Sequence, residues 1–174
     1  MNLMDLLEST GGQKSLASLT DGLGLDSAKT SQLLGALTPA LLGGLQKQAA
    51  SQDGLAGLKK AIGSGNHQRY IDNPELISAD ETRVDGNNIL GHLLGSKDVS
   101  RKVADQAAES TGLDSALIKK ALPLIAGLAM GAVSKSSNGG QSLDSSLGGL
   151  LGNLLGGDGE LGLDDVMGFA KKLF

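Results

Sequence analysis

The chain has no cysteine and no tryptophan, and among its 174 residues it has one tyrosine, Tyr70, and two phenylalanines, Phe169 and Phe174. Without cysteine there can be no disulfide, no thiolate metal site and no cysteine nucleophile, and no redox compartment can be read from the sequence. Without aromatic rings a core must be built from Leu, Ile, Val and Ala, and the aromatic walls common in sites for bases, haem or ring-shaped ligands are missing. An excess of basic charge is also lacking. The formal net charge is −4, which argues against a nucleic acid or an anionic membrane held by bulk electrostatics. The amino terminus carries Asp5 and Glu8 where a secretory signal would carry lysine or arginine before a longer apolar run, so a cytoplasmic location is the expectation. The longest apolar run, residues 121–133, has 13 residues and is bounded by Lys119, Lys120 and Lys135. That is ~20 Å of helix against ~30 Å of hydrocarbon. A central buried helix is expected there, and no transmembrane segment.

What the chain does have is leucine at helical spacing. Leu33, Leu34, Leu37, Leu41 and Leu45 form one series and Ile118, Leu122, Ile125, Ala129 and Val133 another, each the apolar face of a long helix. Alternating strand patterns are missing, so the fold class is all-α. The two series end two similar stretches. The block Asn2-Leu3-Met4-Asp5-Leu6-Leu7-Glu8-Ser9 matches Ile89-Leu90-Gly91-His92-Leu93-Leu94-Gly95-Ser96 at a shift of 87, and Gly24-Leu25-Asp26-Ser27-Ala28 matches Gly112-Leu113-Asp114-Ser115-Ala116 at a shift of 88. An internal repeat follows: two related three-helix units in tandem, at residues 1–50 and 88–135, with helix–turn–helix corners at Gly24 and Gly112. Asp26 and Asp114 are placed to cap the third helix of each unit, after a glycine that permits the reversal. Pro39 and Pro123 should kink those helices or begin new ones.

Residues 51–87 read as a connector. It offers a short helix near 53–62, turn signals at Asp72-Asn73-Pro74 and Asp85-Gly86-Asn87, and mostly solvated polar residues, with Tyr70, Ile71, Leu76 and Ile77 able to dock on the units. After a Ser/Asn/Gly linker, residues 136–174 form a Gly/Leu-rich tail with short helices. Leu143, Leu147, Leu150, Leu151, Leu154 and Leu155 share one helical stripe.

Glycine is the other excess, with 27 residues, and each one inside a helix costs about 0.8–1 kcal/mol relative to alanine. Gly148, Gly152 and Gly156 recur every four residues beside the tail leucines, as do Gly127 and Gly131 in the second unit. Small residues at this spacing let another helix backbone come close. A mobile low-complexity tail is the plain alternative.

Chemistry-bearing patterns are sparse. His67 and His92 have no neighbouring ligand cluster and read as surface residues; the acidic stretch 158–165 lacks the ligand alternation of a calcium loop. There is no phosphate-binding Gly-Lys-Ser/Thr loop and no Gly-x-Ser-x-Gly elbow. No catalytic, cofactor or metal residue is assigned. Ala108, Gly112 and Ile118 suit a repressor-type helix–turn–helix, but the helix that would read bases offers Asp114, Ser115, Lys119 and Lys120, with no Arg, Asn or Gln.

The stretch from Gly86 through Ser100, the Gly112-Leu113-Asp114-Ser115-Ala116 corner, the Leu-Leu-Gly-Ala-Leu-Thr-Pro helix ending at Pro39 and the glycine–leucine tail together resemble a bacterial family, domain of unknown function 937, distantly similar to the YidB-like proteins. The resemblance implies an all-helical bacterial cytoplasmic protein and brings no activity, cofactor or functional residue. The expectation is a non-enzymatic, self-associating or scaffold protein whose partner is itself, with Gly127, Gly131, Gly148, Gly152, Gly156, Leu147, Leu151, Leu154 and Leu155 as interface candidates. A helix–turn–helix nucleic-acid or regulatory binder is the alternative, and a carrier with an aliphatic cavity is a third reading.

Overall fold

The structure is a computed structural model that describes residues 3–137. Eight α-helices follow one another: α1 Leu3–Ser9, α2 Gln13–Leu23, α3 Ser27–Ala49, α4 Gln52–Ser64, α5 Arg69–Asp72, α6 Asp80–Leu94, α7 Lys97–Thr111 and α8 Ser115–Ser136, with a 3-10 helix, Pro74–Ser78, between α5 and α6. The described residues contain no strand, as the leucine spacing predicts.

The two corners are built as their sequences require. Gly24 and Gly112 end α2 and α7 with φ of +64° and +69°, a conformation that costs glycine nothing. Two residues on, the Asp26 carboxylate accepts from the Lys29 N–H at 2.8 Å, and that of Asp114 accepts from Ala116 and Leu117 at 2.7 and 3.2 Å. Each aspartate thereby satisfies N–H groups that the first helical turn leaves without an internal partner. Leu25 and Leu113 are partly buried at these corners. Neither proline starts a new helix. α3 runs through Pro39 and α8 through Pro123.

α8 is the central element. Ile118 and nearly every residue from Ala121 to Ser134 are buried, and its contact with α6 is the most extensive in the fold. By length and composition α8 could cross a membrane, but two thirds of its most apolar stretch is buried against the other helices. Around it the chain interleaves. α3 packs on α7, α6 and α4, and α2 packs chiefly on the 3-10 helix.

Residues 51–87 are woven into this core. Leu58, Ile62, Tyr70, Ile71 and Ile77 are buried in one cluster with Leu33, Leu37, Ile118 and Ile125. The turn expected at Asp85-Gly86-Asn87 lies in the middle of α6, which starts at Asp80 and spans 15 residues where α1 spans 7. The glycine there serves packing instead of reversal. A Cβ on Gly86 would strike the Pro123 backbone of α8, one on Gly44 would come within 2.6 Å of the Leu93 carbonyl oxygen, and one on Gly131 within 2.6 Å of that of His67. Helix backbones therefore meet where glycine occupies the contact, and the dispersion gained at such close approach offsets its helix penalty.

Gly35 and Gly57 have no such role. Each lies inside a helix, and a Cβ there would meet nothing within 4 Å. Changing both to alanine is expected to stabilise the fold by about 2 kcal/mol, which raises the melting temperature by roughly 4–8 °C for a chain of this size. Thermal unfolding followed by circular dichroism checks this.

Candidate functional site

Two features outside the plain core hold polar chemistry. The first is a buried cluster on α5 and α6. Tyr70, fully buried, donates its hydroxyl proton to Asp85 Oδ2 at 2.5 Å and accepts from Arg69 Nη2 at 2.9 Å. His67 Nδ1 lies 3.0 Å from the same Asp85 oxygen, close enough for an ion pair but outside hydrogen-bond geometry. The Arg69 guanidinium also covers the tyrosine ring, 4.9 Å from its centroid. Burial first, and then the bond to Asp85, raise the Tyr70 pKa above its ordinary value, and the bond to Tyr70 raises that of Arg69.

This arrangement fastens more than it activates. A phenol held protonated is a poor base and a poor nucleophile at neutral pH. What the cluster does is tie residues 67–70 to α6, while Gln68 Nε2 donates to the Ser134 carbonyl at 3.1 Å and Lys135 pairs with Asp72 at 2.5 Å, binding the same segment to the end of α8. His67, expected at the surface, is only 3 % exposed, because its loop is pinned between α6 and Gly131 of α8. His92 is exposed as expected. No group of three or more His, Asp or Glu placed to hold a metal ion occurs among the described residues.

The second feature is an open groove of about 550 Å³ between α6, the start of α7 and the first half of α8. Leu90, Leu122 and Pro123, all buried, form its floor, and Val84 at its edge is 60 % exposed, the one large apolar side chain so exposed among the described residues. Lys97, Arg101 and Lys119 line it together with Asn87, Asn88, Ser96 and Ser100, and no carboxylate does. Arg101 pairs with Asp98 and Lys119 with Asp105, both at 3.0 Å between exposed groups. Asp105 also accepts from the Ser115 hydroxyl at 2.7 Å, and that bond and Lys119 lower its pKa.

Of the residues singled out in the sequence, Gly127 and Gly131 are buried within the chain. Gly127 faces Thr82 and the Tyr70 ring, and Gly131 faces His67 and Ile71. Gly131 admits the backbone of the chain's own His67 loop and Gly127 meets only side chains, so both positions are covered within the chain. Gly148, Gly152, Gly156, Leu147, Leu151, Leu154 and Leu155 lie outside the described residues. The groove and the Tyr70 cluster were not picked out from sequence. A lone tyrosine three residues after a histidine was the visible trace of the cluster, and its aspartate was hidden in an apparent turn.

The chain belongs to a bacterial family: the family model described as bacterial protein of unknown function (DUF937) matches residues 5–136. That span takes in both corners, the Tyr70 cluster and the groove. No curated protein and no solved structure matches the chain.

Proposed function

We propose that this chain is a non-enzymatic, self-associating protein of the bacterial cytoplasm, and that its Gly/Leu tail is the element through which copies join. The observation that carries the reading is the tail stripe itself. Leu143, Leu147, Leu150, Leu151, Leu154 and Leu155 keep helical register beside Gly148, Gly152 and Gly156, a pattern that a simple linker does not need. Three glycines in one short helix cost about 2–3 kcal/mol, which burial of the leucines against a partner offsets at about 1.5–3 kcal/mol for each fully buried side chain.

The runner-up is a helix–turn–helix nucleic-acid or regulatory binder, favoured by the three cations, Lys97 and Arg101 at the start of α7 and Lys119 of α8, that line one groove. Against it, the helix that would enter a DNA groove is enclosed from Ala121 onward, and recognition needs several base-reading side chains on an exposed helix.

Light scattering of the full chain tests the reading. The wild type is expected to be larger than a monomer, and Gly152→Leu, which fills the close-approach edge, should shift the mass toward monomer while Asn153→Ala should not. A monomeric wild type at high protein concentration, or a Gly152→Leu variant with unchanged mass, contradicts it.

A further inference from the structure

We propose that the groove formed by α6, α7 and α8 is the receptor for the leucine stripe, residues 143–155, of a second copy's tail. This rests on the self-association reading and adds to it the surface that the tail meets.

Three observations select this occupant. The groove has a floor of Leu90, Leu122 and Pro123, buried within the chain, and Val84 at its edge is left largely in water, so an apolar stripe laid there takes Val84 and its own leucines out of water. Its lining charges are cations. Of Lys97, Arg101 and Lys119, Arg101 pairs with Asp98 and Lys119 with Asp105 on its outer side, while Lys97 makes no ion pair among the described residues. The tail is complementary: residues 138–170 hold five acids, Asp144, Asp158, Glu160, Asp164 and Asp165, and no Lys or Arg. The chain outside the tail is close to neutral, since residues 1–137 carry 13 basic and 14 acidic side chains, so the tail with five acids and two lysines supplies −3 of the net −4. An acidic tail on one copy and a cationic groove on another steer the pair together and fix its orientation. Asn87, Asn88, Ser96 and Ser100 add hydrogen-bonding groups to the lining, consistent with a polar rim around a small apolar centre.

Reach must also be considered. Leu122 lies 15 residues before Ser137 on one continuous helix, a distance of about 22 Å. The six residues from Ser137 to Leu143 extend to about 20–22 Å. The first leucine reaches the groove of its own chain only near full stretch, while Leu147 to Leu155 have the length to reach it from either copy, and the experiment below separates the two.

The absence of cysteine makes the test clean. Ser146→Cys, beside the stripe, carries a nitroxide label on an otherwise unlabelled full-length chain, and this is mixed with ¹⁵N-labelled full-length wild type. Loss of the amide signals of Val84, Leu90, Gly91 and Leu122 in the labelled copy is expected, and it should be reversed in a ¹⁵N-labelled Lys97→Glu/Lys119→Glu variant, whose substitutions fall on exposed side chains. If light scattering shows an oligomer and the groove signals stay intact, the groove assignment is overturned and self-association survives. If the protein is monomeric and the signals are lost only when the spin label and ¹⁵N are on the same chain, both the second-copy occupant and the self-association reading are overturned. If a duplex DNA oligomer shifts the groove signals and the tail does not, the groove belongs to the nucleic-acid reading instead. A Lys97→Glu/Lys119→Glu variant that leaves the signal loss unchanged also contradicts the proposal.

Discussion

Gly86→Ala is expected to destabilise the fold by about 3 kcal/mol, at the upper end of what overpacking a core costs. The added Cβ would lie well inside contact distance of the Pro123 carbonyl oxygen, 2.5 Å from its carbon and 2.8 Å from its Cα. All three are backbone atoms in the middle of α8 and cannot rotate aside. Relief requires α6 and α8 to separate, and the buried side chains on either side, Leu90 of α6 and Leu122 and Ile125 of α8, would lose packing with them. Gly91→Ala, five residues further along the same helix, is the matched control. That position is exposed and a Cβ there meets nothing within 4 Å, so a gain of about 0.8–1 kcal/mol is expected. Urea unfolding of the two variants distinguishes close packing from helix propensity: if Gly86→Ala also stabilises, the α6–α8 approach is not what that glycine is for.

The same glycine shows where sequence reading succeeds and where it stops. The corners were legible because their cause is local. A glycine at positive φ followed by an aspartate cap is decided within five residues, and both corners show it. The helical class was legible because leucine periodicity reports a local geometry. Gly86 was not, because Asp-Gly-Asn has the composition of a turn, and what overrides it is a helix 37 residues further on that needs a flat surface at that point. His67 failed for the same reason. A polar residue in a Gly/Asn-rich stretch reads as solvated, and only α6 and α8 closing over it place it in the core beside Tyr70, whose docking was legible. The groove was illegible too: Val84 comes from α6, Lys97 and Arg101 from α7, and Lys119 and Leu122 from α8, so no window of sequence contains it. The corner was visible, and so was the burial of the helix that follows it, because the apolar run 121–133 is itself local and weighs against DNA reading.

Tyr70→Phe is expected to cost about 1.5–3 kcal/mol, the range for a buried hydrogen bond to a charged group. The substitution keeps the ring, which is 0 % exposed, and removes only the hydroxyl that bonds Asp85 and accepts from Arg69. The same contact makes stability depend on alkaline pH. Burial and the Asp85 bond raise the folded pKa of Tyr70 above its ordinary 10.0, because an ionised phenol would sit unsolvated against a carboxylate. Below pH 10 the phenol is neutral in both folded and unfolded chains, and this contribution is fully present. As pH rises past 10 the unfolded tyrosine ionises first, so the contribution falls and is gone once the folded pKa has been passed. With no tryptophan and a single tyrosine in the chain, tyrosinate absorbance follows this one group in both states. The folded protein is expected to titrate above the denatured one, and Tyr70→Phe should flatten the fall in stability above pH 10 while lowering it at neutral pH. Equal titration midpoints in the folded and denatured chains would mean that Asp85 does not hold the hydroxyl, and that packing alone keeps residues 67–70 against α6.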